Sequence, residues 1–157
     1  MTANCVAFIF GSVGLGSTFC GLWIVLKRMS TVLQKLRVGI VDDNDDSRFM
    51  VRYWLEMHGY EVKDWARAMD LLAFLPEDSV DLFLIDIGLP EMDGLALANA
   101  IKQRHGNSVP LIAVTGYVKP LVRDQAAAAG FARFLTKPVD LEVLIQTIQR
   151  ILLPKAS

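Results

Sequence analysis

Four short apolar runs in this chain end on residues able to do chemistry. VGIVDD closes on Asp42 and Asp43, LFLID on Asp86, LIAVT on Thr115 and RFLTK on Lys137. LFLID and LIAVT are apolar up to their last residue, as expected of strands covered by helices on both faces of a parallel sheet. Parallel strands share one direction, so the residues that end them gather along a single sheet edge. In open α/β folds that edge is where ligands bind.

Between these runs the apolar spacing changes to that of helices. Strands are expected at 37–41, 61–65, 82–86, 111–115 and 132–136. Helices are expected at 47–57, 67–75, 95–104 and 120–129, with Asp140 capping a last one to about 152. His58-Gly59, Pro76 and Gly130 supply stops, Pro120 suits a first helical turn, and Asp93-Gly94 reads as a turn leading into a helix. Five strand-helix units without repeats predict an α/β, doubly wound, five-stranded parallel sheet in one domain over 37–153, followed by a tail at 154–157. A chain of 157 residues has room for one such core.

Residues 1–36 stand apart. Residues 6–26 carry no charge, and 21 residues of helix reach about 30 Å, the thickness of a bilayer core. Lys27 and Arg28 follow at once, which would hold the C-terminal flank, and the domain with it, on the cytoplasmic side. A cleaved signal fits poorly, since its basic charge precedes the apolar run. Two readings follow: a transmembrane helix anchoring the domain to the inner face of the membrane, or a soluble cytoplasmic chain whose true start is Met29. Cys5 and Cys20 both fall here and suit small apolar positions rather than a redox pair or a zinc site.

Charge narrows the partners. The formal charge of −1 divides into +4 over residues 1–37 and −5 beyond. An acidic domain without a basic stripe does not suit nucleic acid; acids gathered at strand ends suit a cation. Asp42 and Asp43 are adjacent where a strand gives way to a turn, so both can approach one site. Carboxylates gathered there repel each other unless a cation joins them, and Mg²⁺, a hard ion content with one or two carboxylates and a phosphate oxygen, fits best. Lys137 adds fixed positive charge, Thr115 a hydroxyl, and Gly116 open backbone. These groups suit an incoming phosphoryl group, with Asp86, alone at the end of a buried strand, as the nucleophile. Taken singly each residue has an ordinary role in a turn, a cap or a loop. Asp45 and Asp46 read as solvated charge in a first helical turn, His58 and His105 as cations near helix ends, and Trp54 and Trp65 as packing.

The runs Val41-Asp42-Asp43-Asn44, Leu84 through Gly94, Val114-Thr115-Gly116 and Leu135-Thr136-Lys137-Pro138 together resemble the receiver domain of two-component response regulators, over about 37–153. That resemblance implies a flavodoxin-like sheet of order 2-1-3-4-5, similar to the single-domain chemotaxis regulators. It implies Asp86 as phosphoacceptor, and Asp43, Asp86 and the Gly88 carbonyl as Mg²⁺ ligands with Asp42 acting through water. Lys137 would pair with the phosphoryl group, Thr115 and Phe134 would move together as a switch, and Pro138 would follow a cis peptide. Gly88 and Tyr117, two residues beyond Asp86 and Thr115, occupy positions that tune phosphate lifetime. Implied partners are a sensor histidine kinase or histidine phosphotransfer protein as donor, and then either a separate downstream protein gripped around the last helices and strand or a phosphotransfer protein to which the phosphate is passed on. The Asp-Ile-Gly-Leu-Pro and Thr-Gly-Tyr variants resemble receivers of hybrid histidine kinases. Such a domain catalyses only its own phosphorylation and dephosphorylation. A second reading, a haloacid-dehalogenase-like phosphatase with Asp43 as nucleophile, rests on a looser echo around Asp43 to Ser47; Ser47 departs from its pattern, and there is no room for a cap domain.

Overall fold

Alternating strands and helices bring the chain back along one sheet direction five times. The computed structural model of the chain describes residues 35–73, 80–106, 108–116 and 119–152. Among them no helix is long and apolar enough to cross a membrane. The expected span at 6–26, the alternative start at Met29, Tyr117 and the tail lie outside the described residues. The strands are β1 (Arg37–Val41), β2 (Glu61–Trp65), β3 (Leu82–Asp86), β4 (Leu111–Thr115) and β5 (Arg133–Thr136). All pair in parallel, in the order β2-β1-β3-β4-β5 that the resemblance implied.

The helices are α1 (Asp45–Met57), α2 (Ala68–Ala73), α3 (Gly94–His105), α4 (Pro120–Ala128) and α5 (Leu141–Leu152). Helix α1 starts two residues before the expected Ser47, because Asn44 takes the cap: its Oδ1 accepts the Ser47 N–H at 2.8 Å. Asp45 and Asp46 then occupy the first turn, where the helix dipole favours acids. Asp93 caps α3 by accepting from Ala96 N–H at 2.7 Å, and Asp140 caps α5 by accepting from Glu142 and Val143 N–H. Helix α2 starts one residue later than expected, at Ala68 rather than Arg67, and its expected end at 75 lies outside the described residues. Strand β5 begins one residue later than expected, with Ala132 donating its N–H to the Leu111 carbonyl at 2.8 Å.

Alternation along the strands builds two cores from one sheet. Val38, Ile40, Leu82, Leu84, Ile112 and Val114 pack with Val51 and Leu55 of α1 and Leu144, Ile145 and Ile148 of α5. Val41, Phe83, Ile85, Leu111 and Ala113 face the other way, toward Leu71, Leu97, Ile101 and Ala126. The register pairs Val41 with Ile85, Asp86 with Val114, and Thr115 with Thr136. Asp42, one residue past Val41, therefore stands level with Asp86. The strand ends that carry chemistry are held side by side by buried apolar neighbours.

Candidate functional site

Asp42, Asp43 and Asp86 meet at that edge. Asp42 and Asp86 are buried, Asp43 is exposed, and one carboxylate oxygen from each lies within 4.8 Å of the others. Lys137 reaches across from the end of β5, its Nζ 2.5 Å from Asp86 Oδ2 and 2.8 Å from Asp42 Oδ2. Burial alone would push the Lys137 pKa down, but hydrogen bonds and charge from Asp42 and Asp86 together outweigh it and hold the ammonium above its ordinary value. The Lys137–Pro138 peptide is cis, as the resemblance implied.

The two buried carboxylates are fixed from several sides. Asp42 Oδ1 accepts the Asn44 N–H at 3.0 Å, and Oδ2 accepts the Ser47 hydroxyl at 2.8 Å beside Lys137. Asp86 Oδ1 accepts the Gly88 N–H at 2.8 Å, which folds the loop after β3 back over its own strand end. Gly94 makes that fold possible, because a Cβ there would lie 2.3 Å from the Asp86 carbonyl oxygen and 2.8 Å from the Ile87 Cα. On the opposite flank Thr115 is fully buried, and its carbonyl accepts the Lys137 N–H at 2.9 Å, tying the lysine's backbone to β4. Phe134 is half-buried on β5, with the Arg123 guanidinium 5.6 Å above its ring centroid.

The five strand-end residues thus share one edge, and Gly88 stands on its rim. Asp45 and Asp46 stand in the first turn of α1, Asp45 paired with Arg48, and neither belongs to the carboxylate cluster, so the pair is helix-start charge, as expected. Trp54 and Trp65 are half-buried packing residues, also as expected. Ser47 and Arg48, which no motif of the sequence marks, also bond Asp42. Arg48 Nη1 donates to the Asp42 carbonyl at 2.8 Å. Their signal is weak, since a serine and an arginine in a first helical turn are ordinary there. Beside the site lies a surface groove of about 600 Å³ lined by Asn44, Ser47, Met50, Lys137, Pro138 and Leu141.

Three carboxylates offering oxygen donors, with one lysine to answer them, fit a hard divalent cation such as Mg²⁺. Residues 38–149 match the family described as the response regulator receiver domain. The chain belongs to this receiver family. An uncharacterized 14.6 kDa protein of Leptolyngbya boryana is 34% identical over 119 residues, 75% of this chain and 91% of that protein. The sensor histidine kinase RcsC of Salmonella typhimurium is 32% identical over 109 residues, covering 69% of this chain but 11% of that much longer protein. Among solved structures, the CheY-like receiver domain protein of Methanospirillum hungatei JF-1 is 31% identical with a TM-score of 0.71, over 76% of this chain and 94% of that one.

The receiver is therefore a phosphoacceptor module of two-component signalling, a family whose members bind Mg²⁺ in an acidic pocket and take part in phosphorelay with histidine kinases. The phosphatase reading with Asp43 as nucleophile finds no support. Lys137 bonds Asp86 and Asp42, whereas Asp43 stands exposed at the rim.

Proposed function

We propose that this receiver accepts a phosphoryl group on Asp86 from the phosphohistidine of a sensor kinase or phosphotransfer protein. The observation that carries the proposal is the setting of Asp86: buried at the end of the central strand, 2.5 Å from Lys137 and beside two further carboxylates. In the reaction an Asp86 carboxylate oxygen forms the new bond to phosphorus as the phosphorus–nitrogen bond to the donor histidine breaks, and the electron pair leaves with the imidazole. Asp43, Asp86 and the Gly88 carbonyl would hold Mg²⁺, with Asp42 behind a water, and the ion would neutralise charge on the phosphoryl oxygens. Lys137 exchanges its bond to Asp86 for one to the phosphoryl group. Thr115 turns its hydroxyl toward the same group, and Phe134 follows into the space this opens, a switch between two conformations.

The outer surface supports a division of labour. Phe49, Met50, Tyr53 and Met57 form a stripe along α1, each 52% to 68% exposed, with the Phe49 and Tyr53 rings stacked 6.3 Å apart. Met50 also lines the groove that leads to Lys137, so a helical donor lying on this stripe would present its histidine to Asp86. The output protein is assigned to the surface of α4, β5 and α5, where Leu121 and Val143 are exposed. The uncharged segment at 6–26, followed by Lys27 and Arg28, supports tethering of the receiver to the inner face of a membrane, and fractionation of cells expressing the full chain tests it.

The deciding experiment is labelling with radioactive acetyl phosphate and Mg²⁺. Wild type should take up one phosphoryl group and show negligible turnover of p-nitrophenyl phosphate, and Asp86→Asn should take up none. Label that persists in Asp86→Asn and vanishes in Asp43→Asn would reverse the assignment.

A further inference from the structure

The geometry points to Arg48 as a positioning residue for the cation site: its guanidinium holds the peptide that joins Asp42 to Asp43, and so sets where the exposed ligand Asp43 stands. The inference rests on the reading of Asp42, Asp43 and Asp86 as that site.

Asp42 lies where β1 gives way to the loop before α1. Its N–H still belongs to the sheet, donating to the Trp65 carbonyl at 3.2 Å. Its carbonyl leaves the sheet and accepts Arg48 Nη1 at 2.8 Å. That carbonyl shares a rigid plane with the Asp43 N–H, so fixing one fixes the direction in which Asp43 departs. Asp43 needs this help. Among the described residues no hydrogen bond holds its carboxylate, whereas the Asp42 and Asp86 carboxylates are each gripped by backbone N–H and by Lys137.

Arg48 is well built for the task. Its side chain is only 15% exposed, and it bonds three acceptors at once: the Asp42 carbonyl, Asp64 Oδ2 at 3.0 Å, and Asp45. Asp64 projects from β2 and is held in turn by Arg52 Nη1 at 2.9 Å. A planar fork fastened at three points, just past β1, on β2 and on α1, cannot swing without breaking bonds to charged groups. Partners that orient metal ligands in this way typically change metal affinity by about 10–100-fold when removed.

The test has a sign that separates positioning from charge. A cation close to a Mg²⁺ site opposes the ion, so deleting Arg48 as a mere charge would tighten binding. Deleting it as a positioning residue weakens binding. Mg²⁺ affinity is read by isothermal titration of the full chain, with a thermal scan of each metal-free variant to record folding. Arg48→Met should bind Mg²⁺ about tenfold more weakly than wild type. Arg48→Lys keeps the charge but cannot span three acceptors, and should be weakened nearly as much. Unchanged or tighter binding by a folded Arg48→Met would overturn the inference, as would a lowered melting temperature with unchanged affinity. Should Arg48→Met not fold, Arg48→Lys decides by the same criterion. Wild type without saturable Mg²⁺ binding would overturn the cation site itself, a result distinct from any difference between variants.

Discussion

Lys137 bonds two of the three clustered carboxylates, Asp42 and Asp86, and its protonation sets a pH limit on the pocket. Its folded pKa lies above the ordinary 10.5, because the bonds and charges of Asp42 and Asp86 outweigh burial. A raised pKa means the ammonium stabilises the fold fully below about 10.5, and that this contribution fades as pH climbs through the higher folded value. Denaturant midpoints for wild type and Lys137→Met, without metal, should therefore differ by a constant amount across neutral and mildly alkaline pH. The gap should close only above 10.5, the ordinary lysine value. A gap that closes nearer neutrality would mean the ion pairs contribute little. Residues of this kind were legible in the sequence because each ends an apolar run, and a strand end has one address in a parallel sheet. Ser47 and Arg48 were not, since their partners depend on the path of the β1–α1 loop, which no spacing rule states. Asp43 was legible as one of the clustered carboxylates, but its exposure was not.

At the scale of elements, strand boundaries followed from hydrophobic runs almost to the residue, while helix starts were set by caps. Asn44 drew α1 two residues toward the site, and this is what brings Ser47 and Arg48 within reach of Asp42. The close approach of Gly94, at the start of α3, to the end of β3 was equally hidden, because it depends on how the intervening loop folds back in space. Gly94→Ala should force the Asp86–Ile87 backbone aside, destabilising the chain by about 1–3 kcal/mol in urea titration. It should also slow labelling by acetyl phosphate, because the displaced segment carries Asp86. Retention of both wild-type values would show that the loop can yield freely. The exposed stripe of α1 carries the opposite expectation. Replacing Phe49 and Tyr53 together by Ala should leave stability within about 0.5 kcal/mol, as for surface changes generally. Labelling by acetyl phosphate should stay normal, whereas transfer from a phosphorylated histidine donor should slow by about tenfold or more, on the scale of losing interface anchors. Equal slowing with both donors would place the defect in the pocket instead.

For the whole molecule, the pocket is a local cost carried by a stable scaffold. Two packed cores hold three carboxylates within 4.8 Å of one another, an arrangement that Coulomb repulsion opposes and that Lys137 relieves only in part. Such crowding would leave the folded chain less stable than its cores allow, and a cation that binds the folded state alone would recover the difference. At a free concentration one hundred times its Kd, Mg²⁺ would add about 2.7 kcal/mol. Asp43→Asn separates the two effects, since it removes one repelling charge and one proposed ligand by replacing an exposed side chain. In calorimetry the metal-free variant should melt above metal-free wild type, and added Mg²⁺ should raise wild type while leaving the variant nearly unmoved. A variant that melts below wild type without metal would mean Asp43 stabilises the fold in some other way. A variant that still responds fully to Mg²⁺ would remove Asp43 from the ligand set. If both expectations hold, charge crowding and ion binding are the same feature seen in two states, and the stability held back at Asp43 is what makes the switch responsive to the charge brought to Asp86.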